Sequence, residues 1–226
     1  MTESPRDRIL ARIRAAQDGV SGRVAPEVAE ARVTAPRPHI IPARAAVPPG
    51  QLGELFEQWA RAADATTERI GRWRDVPAAL ARFASDNQTP VRVRVAPDAA
   101  LRALPWAEAP ALHVGYGRAG PDDRVSLVHA FAGIAETGTV MLISGADSPT
   151  TLNFLPETHI VALQISRIVG SYEDAWARLR DHCRGAGWPR TVNLITGPSR
   201  TADIGHTLYK GAHGPRRLHL LLVEEN

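Results

Sequence analysis

Residues 192–223 read VNLITGPSRTADIGHTLYKGAHGPRRLHLLLV, and this stretch contains two apolar runs separated by glycine turns. An apolar run stops at Gly197, a polar turn follows, and a short segment closed by Gly211 and Gly214 leads into a second apolar run. This order of strand, glycine turn, helix, glycine turn and strand is typical of a βαβ unit. Because parallel strands are buried on both faces, the continuous apolar runs favour a parallel sheet. We therefore predict an α/β fold in which the rest of the chain adds strands to this sheet.

Composition is that of a globular protein, with 226 residues of which 44% are hydrophobic. No apolar run approaches the ~20 residues of a membrane span, so we predict no transmembrane segment. Residues 1–6 enter charged sequence at once and lack the apolar core of a signal peptide, which predicts a cytoplasmic protein.

The chain has a single cysteine, Cys183, and therefore no intrachain disulfide and no CxxC metal site. An iron–sulfur cluster normally takes four thiolates, so any cluster must lie on a partner. The eight histidines are scattered without an HExxH motif, and we predict no metal site. Lys210 is the only lysine, which excludes a Walker A loop.

The net charge of +3 is modest, and the arginines are not interleaved with aromatic residues, so we predict no nucleic-acid binding. Residues 115–120 spell GxGxxG, but Pro121 and two aspartates follow. A dinucleotide site needs a helix to begin inside the motif, so we interpret this stretch as a glycine loop.

Two segments precede the predicted domain. Ser4 and Pro5 favour a helix start, and the helix has a narrow apolar stripe among arginines. It is either a solvated helix on the domain or a basic arm that docks on an acidic partner. Prolines recur through residues 22–50, which predicts an extended arm. We therefore divide the chain into an N-terminal helix and arm, 1–50, and an α/β domain, 51–226.

A first candidate site is the turn at residues 136–139, Glu-Thr-Gly-Thr, which leads into an apolar strand. Functional groups in α/β proteins lie on such loops. Glu136 is the candidate catalytic residue, as a nucleophile or acid–base group, and Thr137, Gly138 and Thr139 are candidates for ligand binding. The alternative is that Glu136 and Thr137 satisfy backbone groups in a tight turn.

A second candidate site is the turn around Ser199. Free N–H groups at a helix start and the planar fork of Arg200 suit a small carboxylate or phosphate ligand. Alternatively, Ser199 serves only as the N-cap of the helix. His159, at the start of a strand, then has only a structural role. The ligand-binding candidates are Ser199, Arg200, Thr201, Asp203, His159 and His213.

The two turns have opposite strand polarity, because the Glu136 turn precedes its strand and the Ser199 turn follows one. In a parallel sheet they lie at opposite edges. They share a pocket only if a bend or a reversed strand brings them together.

Four motifs occur in this order along the chain: IAETGT (134–139), LPETHI (155–160), GPSRTADI (197–204) and HGP (213–215). Together they resemble the LUD domain of the lactate utilization protein C family over about residues 51–224. The resemblance implies a three-layer α/β/α sandwich around a mostly parallel sheet, similar to the NagB/RpiA/CoA-transferase-like superfamily.

The resemblance also implies a role in oxidising L-lactate to pyruvate, in a three-protein system whose other components are iron–sulfur proteins. This chain is then expected to be the non-redox component, with no cofactor of its own and iron–sulfur subunits as partners. The family brings no agreed active site.

Two other functions stay open. CoA transferases of the superfamily use a glutamate followed two residues later by glycine, and residues 136–138 look like that pattern. The chain is then a freestanding CoA-transferase-like or cyclo-ligase-like enzyme using Glu136, although no CoA-binding signature is recognisable. The third reading is a ligand-sensing or assembly module.

Overall fold

The computed structural model describes residues 4–18, 25–37, 39–185, 187–201 and 209–225. The chain divides into two compact units, Met1–Ile40 and Ile41–Asn226, and the boundary near residue 50 stays a prediction. None of the helices in the described ranges combines the length and the apolar character that crossing a membrane requires.

The first unit contains two helices, α1 (Pro5–Asp18) and α2 (Pro26–Thr34). The helix start at Ser4 is confirmed, since the backbone N–H of Asp7 donates to Ser4 Oγ at 3.2 Å. The extended conformation predicted for residues 22–50 is wrong over α2. Pro26 occupies the first turn of that helix, where backbone N–H groups have no partner within the helix, so its missing N–H costs no hydrogen bond.

The second unit alternates helices and strands. Its helices are α3 (Leu52–Ala62), α4 (Val76–Asp86), α5 (Ala99–Arg102), α6 (Thr151–Phe154) and α7 (Tyr172–Cys183), with 3₁₀ turns at Ala43–Ala45, Pro49–Gln51, Trp73–Asp75, Trp106–Glu108 and Ile165–Arg167. Its strands are β1 (Thr66–Ile70), β2 (Arg92–Val95), β3 (His113–Tyr116), β4 (Val125–His129), β5 (Ala132–Ile134), β6 (Thr139–Ile143), β7 (Thr158–Gln164), β8 (Ile168–Val169), β9 (Val192–Ile195), β10 (Arg200–Thr201), β11 (Tyr209–Lys210) and β12 (Arg217–Val223).

The larger sheet has six strands in the order β1-β12-β7-β4-β2-β3, and every pair in it is parallel. Strands β7 and β12 are neighbours in the interior of this sheet and are buried along almost their whole length, as expected for a sheet covered on both faces. Strand β2 alternates exposed and buried residues and lies next to the edge strand. The predicted α/β fold with a parallel sheet is confirmed.

A second sheet, in the order β8-β5-β6-β9, was not expected. Strand β9 is antiparallel to β6, whereas β12 belongs to the six-stranded sheet, so the predicted βαβ unit and the single sheet are wrong. The apolar run of β9 contains Asn193, and none of its four residues is fully buried. The segment after Gly197 continues as β10, paired antiparallel with β11, and no helix begins at Arg200. Residues 202–208 lie outside the described ranges.

The second sheet lies between the core of the large sheet and α7. On β6, Val140 and Leu142 join the main core, whereas Met141 packs with Leu179 of α7. Gly133 permits the close approach of the sheets, since a Cβ there would lie 2.7 Å from Leu163. Helices α3 and α4 contribute to the main core, and the whole is consistent with the predicted three-layer α/β/α sandwich.

Candidate functional site

A cavity of about 270 Å³ lies where β7 and β12 begin, beside the end of β9. We call it the amino-edge cavity, after the edge of the parallel sheet at which it lies. Four of the residues predicted to bind a ligand line it, namely His159, Ser199, Arg200 and His213. Asp203, which the sequence adds to this group, lies outside the described residues.

His159, which lines this cavity, carries an unprotonated ring nitrogen. Ser126 Oγ donates to the Leu152 carbonyl at 2.7 Å and lies 3.0 Å from His159 Nδ1. Since a hydroxyl has one proton, His159 Nδ1 must donate to Ser126 Oγ, which leaves a lone pair on Nε2. Complete burial lowers the pKa of His159 to about 3, so the ring is neutral near pH 7. Nε2 is buried and meets no partner in the described part of the chain.

Asn153, which also lines the cavity, carries a second acceptor. Its Nδ2 donates to Asn193 Oδ1 at 3.0 Å, and its own Oδ1 is buried without a partner among the residues described. Leaving a buried acceptor unpaired costs about 1–3 kcal/mol. A ligand with hydroxyl or N–H groups would recover that free energy, so the walls of the cavity favour a hydrogen-bond donor.

In the described part of the chain, the positive charge near the cavity comes from the side chains of Arg200 and Lys210. Arg200 donates to the Ala63 carbonyl and lies 3.5 Å from Asp64 Oδ2, which Lys210 Nζ also approaches at 2.9 Å. The hydrogen bond and charge of Lys210, followed by the charge of Arg200, lower the pKa of Asp64. Two cations thus share one carboxylate, and the surplus charge favours a carboxylate or phosphate.

Glu136 lies away from this cavity, in the turn between β5 and β6. Its Oε1 accepts from the backbone N–H of Tyr172 at 2.9 Å, where α7 begins, and its own N–H donates to the Gly170 carbonyl at 3.0 Å. A carboxylate at a helix start is stabilised by the helix dipole. These contacts fit the alternative in which Glu136 satisfies backbone groups, and its catalytic role stays a prediction.

Hydroxyl groups nevertheless connect the Glu136 turn to the amino-edge cavity. Thr139 Oγ1 lies 2.7 Å from Thr137 Oγ1, 3.0 Å from the Tyr172 hydroxyl and 2.6 Å from Thr196 Oγ1. Thr196 lines the cavity. The sequence predicts that the Glu136 and Ser199 turns come together only if a bend or a reversed strand brings them to one edge. Such a reversed strand is present, because β6 and β9 are antiparallel.

A second cavity, of about 440 Å³, lies at the opposite edge of the sheet, and we call it the carboxyl-edge cavity. It is lined by His129, the last residue of β4, by Asp98, which follows β2, and by Arg167, which follows β7. Asp98 Oδ1 caps α5 through the N–H groups of Ala100 and Leu101. Its Oδ2 lies 3.7 Å from His129 Nδ1. The neighbouring His129 is the main cause that lowers the pKa of Asp98.

Asp98, His129 and Arg167 are not among the site residues that the sequence predicts. Each stands at or just after the carboxyl end of a strand, which is where ligands bind in open α/β sheets. That signal is visible in the sequence, but only the order of the strands shows that β2, β4 and β7 are close in the sheet.

Residues 123–223 match the family model of the LUD domain. Lactate utilization protein C of Geobacillus thermodenitrificans is 35% identical over 127 residues, which are 53% of this chain and 53% of that protein. Its namesake from Bacillus subtilis is 38% identical over 93 residues, 41% of this chain and 39% of that protein. An uncharacterized Neisseria meningitidis protein, NMB1437, is 42% identical over 96 residues, 42% of this chain and 40% of that protein. The chain thus spans about half or less of the length of these relatives.

The fold is similar to the crystal structure of a DUF162 family protein from Deinococcus radiodurans, with a TM-score of 0.56. The two are 19% identical, and the match covers 79% of this chain and 99% of that one. This likeness supports the α/β fold. The family match and the names of the relatives confirm, over residues 123–223, the predicted resemblance to the LUD domain of the lactate utilization protein C family.

Proposed function

We propose that this chain is the non-redox component of a system that oxidises L-lactate to pyruvate and supports growth on lactate. The observation that carries the proposal is the match of residues 123–223 to the LUD domain, together with relatives named lactate utilization protein C. The matched range contains most of the polar residues of both cavities, including His129, His159 and Arg200.

Oxidation of lactate to pyruvate releases two electrons, and the proposal assigns their transfer to iron–sulfur partners. The sequence contains one cysteine, whereas a cluster normally takes four thiolates. Cys183 is buried on the inner face of α7, with Leu179 in the same apolar cluster. This environment is that of a small apolar side chain.

The proposal gives the amino-edge cavity a small carboxylate or phosphate ligand. The surplus charge of Arg200 and Lys210 beside Asp64 supports an anion, and the acceptors His159 Nε2 and Asn153 Oδ1 support a ligand that also carries donors.

Growth tests the biological role. Deleting the gene in the source organism should abolish growth on L-lactate and leave growth on pyruvate intact, and the wild-type gene should restore it. A Cys183→Ala allele should restore growth equally well, because the proposal gives this cysteine no role in electron transfer. Normal growth of the deletion strain on lactate would contradict the proposal.

Co-purification tests the partners. The tagged chain, isolated from lactate-grown cells, should bring down iron–sulfur proteins, and iron should be found in the complex. The chain purified alone should contain no iron above background, because it lacks the four thiolates that a cluster normally takes. Stoichiometric iron on the isolated chain would refute the non-redox assignment.

A further inference from the structure

The carboxyl-edge cavity has the position and the size of a small-molecule site. Ligands of open α/β sheets bind outside the carboxyl ends of the strands, where this cavity lies. Its volume of about 440 Å³ is within the range of roughly 300–1,000 Å³ for such sites. It shares no lining residue with the amino-edge cavity, so substitutions can test the two separately.

His129 supplies an acceptor for a hydroxyl group. The Asp98 carboxylate, 3.7 Å from Nδ1, favours the tautomer with its proton on Nδ1 and leaves the lone pair on Nε2. Nε2 is buried and has no hydrogen-bond partner in the described ranges. Trp73 packs edge-on against the ring, with 4.8 Å between the ring centroids, and helps to hold the ring in place. A ligand hydroxyl is the kind of group that such a nitrogen accepts.

Arg167 supplies a positive charge that no described carboxylate pairs with. Its Nε lies 3.4 Å from Gln164 Oε1, and its carbonyl accepts from Arg178 Nη1 at 3.2 Å. Neither arginine takes part in an ion pair within the described residues. Burial, and next the charge of Arg167, lower the pKa of Arg178, which places two unneutralised guanidinium groups near one another. An anion would relieve their repulsion.

Two aspartates also line the cavity, and neither neutralises Arg167. Asp98 is held by His129 and by the α5 cap, and Asp147 is exposed to solvent. The lining therefore combines a hydrogen-bond acceptor for a hydroxyl group, on His129, with a guanidinium group for a carboxylate, on Arg167.

We propose that the carboxyl-edge cavity binds a small 2-hydroxycarboxylate, whose carboxylate pairs with Arg167 and whose hydroxyl donates to His129 Nε2. This inference rests on the proposed function for its choice of ligand. It makes Arg167 and His129 the residues that recognise the substrate, with Asp98 as a positioning residue that fixes the tautomer of His129.

Calorimetric titration of the purified full-length chain tests the ligand class. L-lactate should bind saturably. Propionate, which lacks the hydroxyl, and lactamide, which lacks the charge, should each bind about 10-fold more weakly or worse, because each loses a charge-assisted or buried hydrogen bond. Equal binding of propionate would overturn the role of His129, and no saturable binding of L-lactate would overturn the proposal.

Substitutions test the location. Arg167→Gln should weaken L-lactate binding about 10-fold or more, with Arg167→Lys intermediate because it keeps the charge and loses the fork. Arg124→Gln, in an exposed ion pair with Glu157 at the opposite edge, is the matched control and should bind like wild type. Thermal unfolding of each variant establishes that it is folded. If Arg200→Gln abolishes binding while Arg167→Gln does not, the ligand lies in the amino-edge cavity and the inference is wrong.

Failure of this inference is distinct from failure of the proposed function. A deletion strain that cannot grow on lactate, with a chain that does not bind lactate, removes only the inference. Saturable binding of lactate to a chain whose deletion leaves growth unchanged removes the proposed function.

Discussion

Thr139 Oγ1 lies 2.6 Å from Thr196 Oγ1, which joins the first residue of β6 to the residue that follows β9. One partner belongs to the turn that carries Glu136, and the other leads into the loop that carries Ser199. The side chain of Thr139 is fully buried, so this hydrogen bond is shielded from water. A change in the Glu136 turn can therefore reach the amino-edge cavity through a single contact.

A double-mutant cycle measures this contact. Thr139→Val and Thr196→Val should each destabilise the protein, because each removes the hydrogen bond between the two hydroxyls. Thr139→Val should cost more, since it also removes the contacts of Thr139 with Thr137 and Tyr172. The double variant should be less destabilised than the sum of the two, by about 0.5–1.5 kcal/mol, in urea unfolding followed by circular dichroism.

The control for this cycle pairs Thr139→Val with Thr89→Val. The hydroxyl of Thr89 is buried and has no partner within the described ranges. Those two changes should be additive to within about 0.5 kcal/mol. Additivity of the Thr139 and Thr196 variants as well would show that their hydrogen bond contributes nothing.

Glu136 gives a second prediction, because its Oε1 accepts from the first N–H of α7. Glu136→Ala should lower the free energy of unfolding by about 1–2 kcal/mol, whereas Glu136→Gln keeps an acceptor oxygen and should lose at most about half as much. Urea unfolding measures both.

The same pair of variants separates a structural role of Glu136 from a catalytic one. A folded Glu136→Gln protein should still restore growth on lactate if the carboxylate only caps α7. Loss of growth with stability retained would instead favour the CoA-transferase-like alternative, in which the carboxylate reacts with an acyl group.

Two buried histidines predict loss of stability in acid. Burial lowers the pKa of His159 to about 3 and that of His219 to about 4, from an ordinary value of 6.5. Between these values and 6.5 the unfolded chain holds protons that the folded chain lacks, so acidification favours unfolding. The full stability is present above pH 6.5 and declines by up to about 1.4 kcal/mol per pH unit for each ring.

Urea unfolding at pH 7.5, 6.5, 5.5 and 4.5 measures that dependence. His159→Gln removes one of the two groups and should give a shallower slope than wild type below about pH 6.5. A variant with an unchanged slope would mean that His159 takes up its proton in the folded protein.

The sequence predicts several strands of the large sheet, but it does not predict β1 and does not show which strands are neighbours. Continuous apolar runs identify β4, β7 and β12 because these strands are buried on both faces. The run at β9 looks alike, yet it pairs antiparallel in another sheet. A local sequence pattern shows that a segment forms a strand. Which strand it pairs with in the sheet depends on packing between segments that are distant in the chain.

The candidate site follows the same rule. The motifs point to His159, Ser199, Arg200 and His213, and these do meet in one cavity. The sequence pattern predicts that a helix begins shortly after Gly197. In the structure its φ is 67°, and a Cβ would lie 2.0 Å from the Ala63 carbonyl oxygen. The glycine is required by contact with the end of α3, which no local pattern reveals.

Gly138 carries the last prediction, because it combines a positive φ of 65° with direct contact to α3. A Cβ there would lie 2.1 Å from the backbone N of Ala60, and backbone atoms cannot move aside as a side chain can. Gly138→Ala should therefore destabilise the protein by about 3 kcal/mol or more, or prevent folding. Gly185 is the matched control, since its φ is 85° and a Cβ would meet nothing within 4 Å. Gly185→Ala should lose only about 1 kcal/mol, from the backbone conformation alone. Equal losses in urea unfolding would show that α3 yields to the added methyl group and that the contact between Gly138 and Ala60 does not fix the turn.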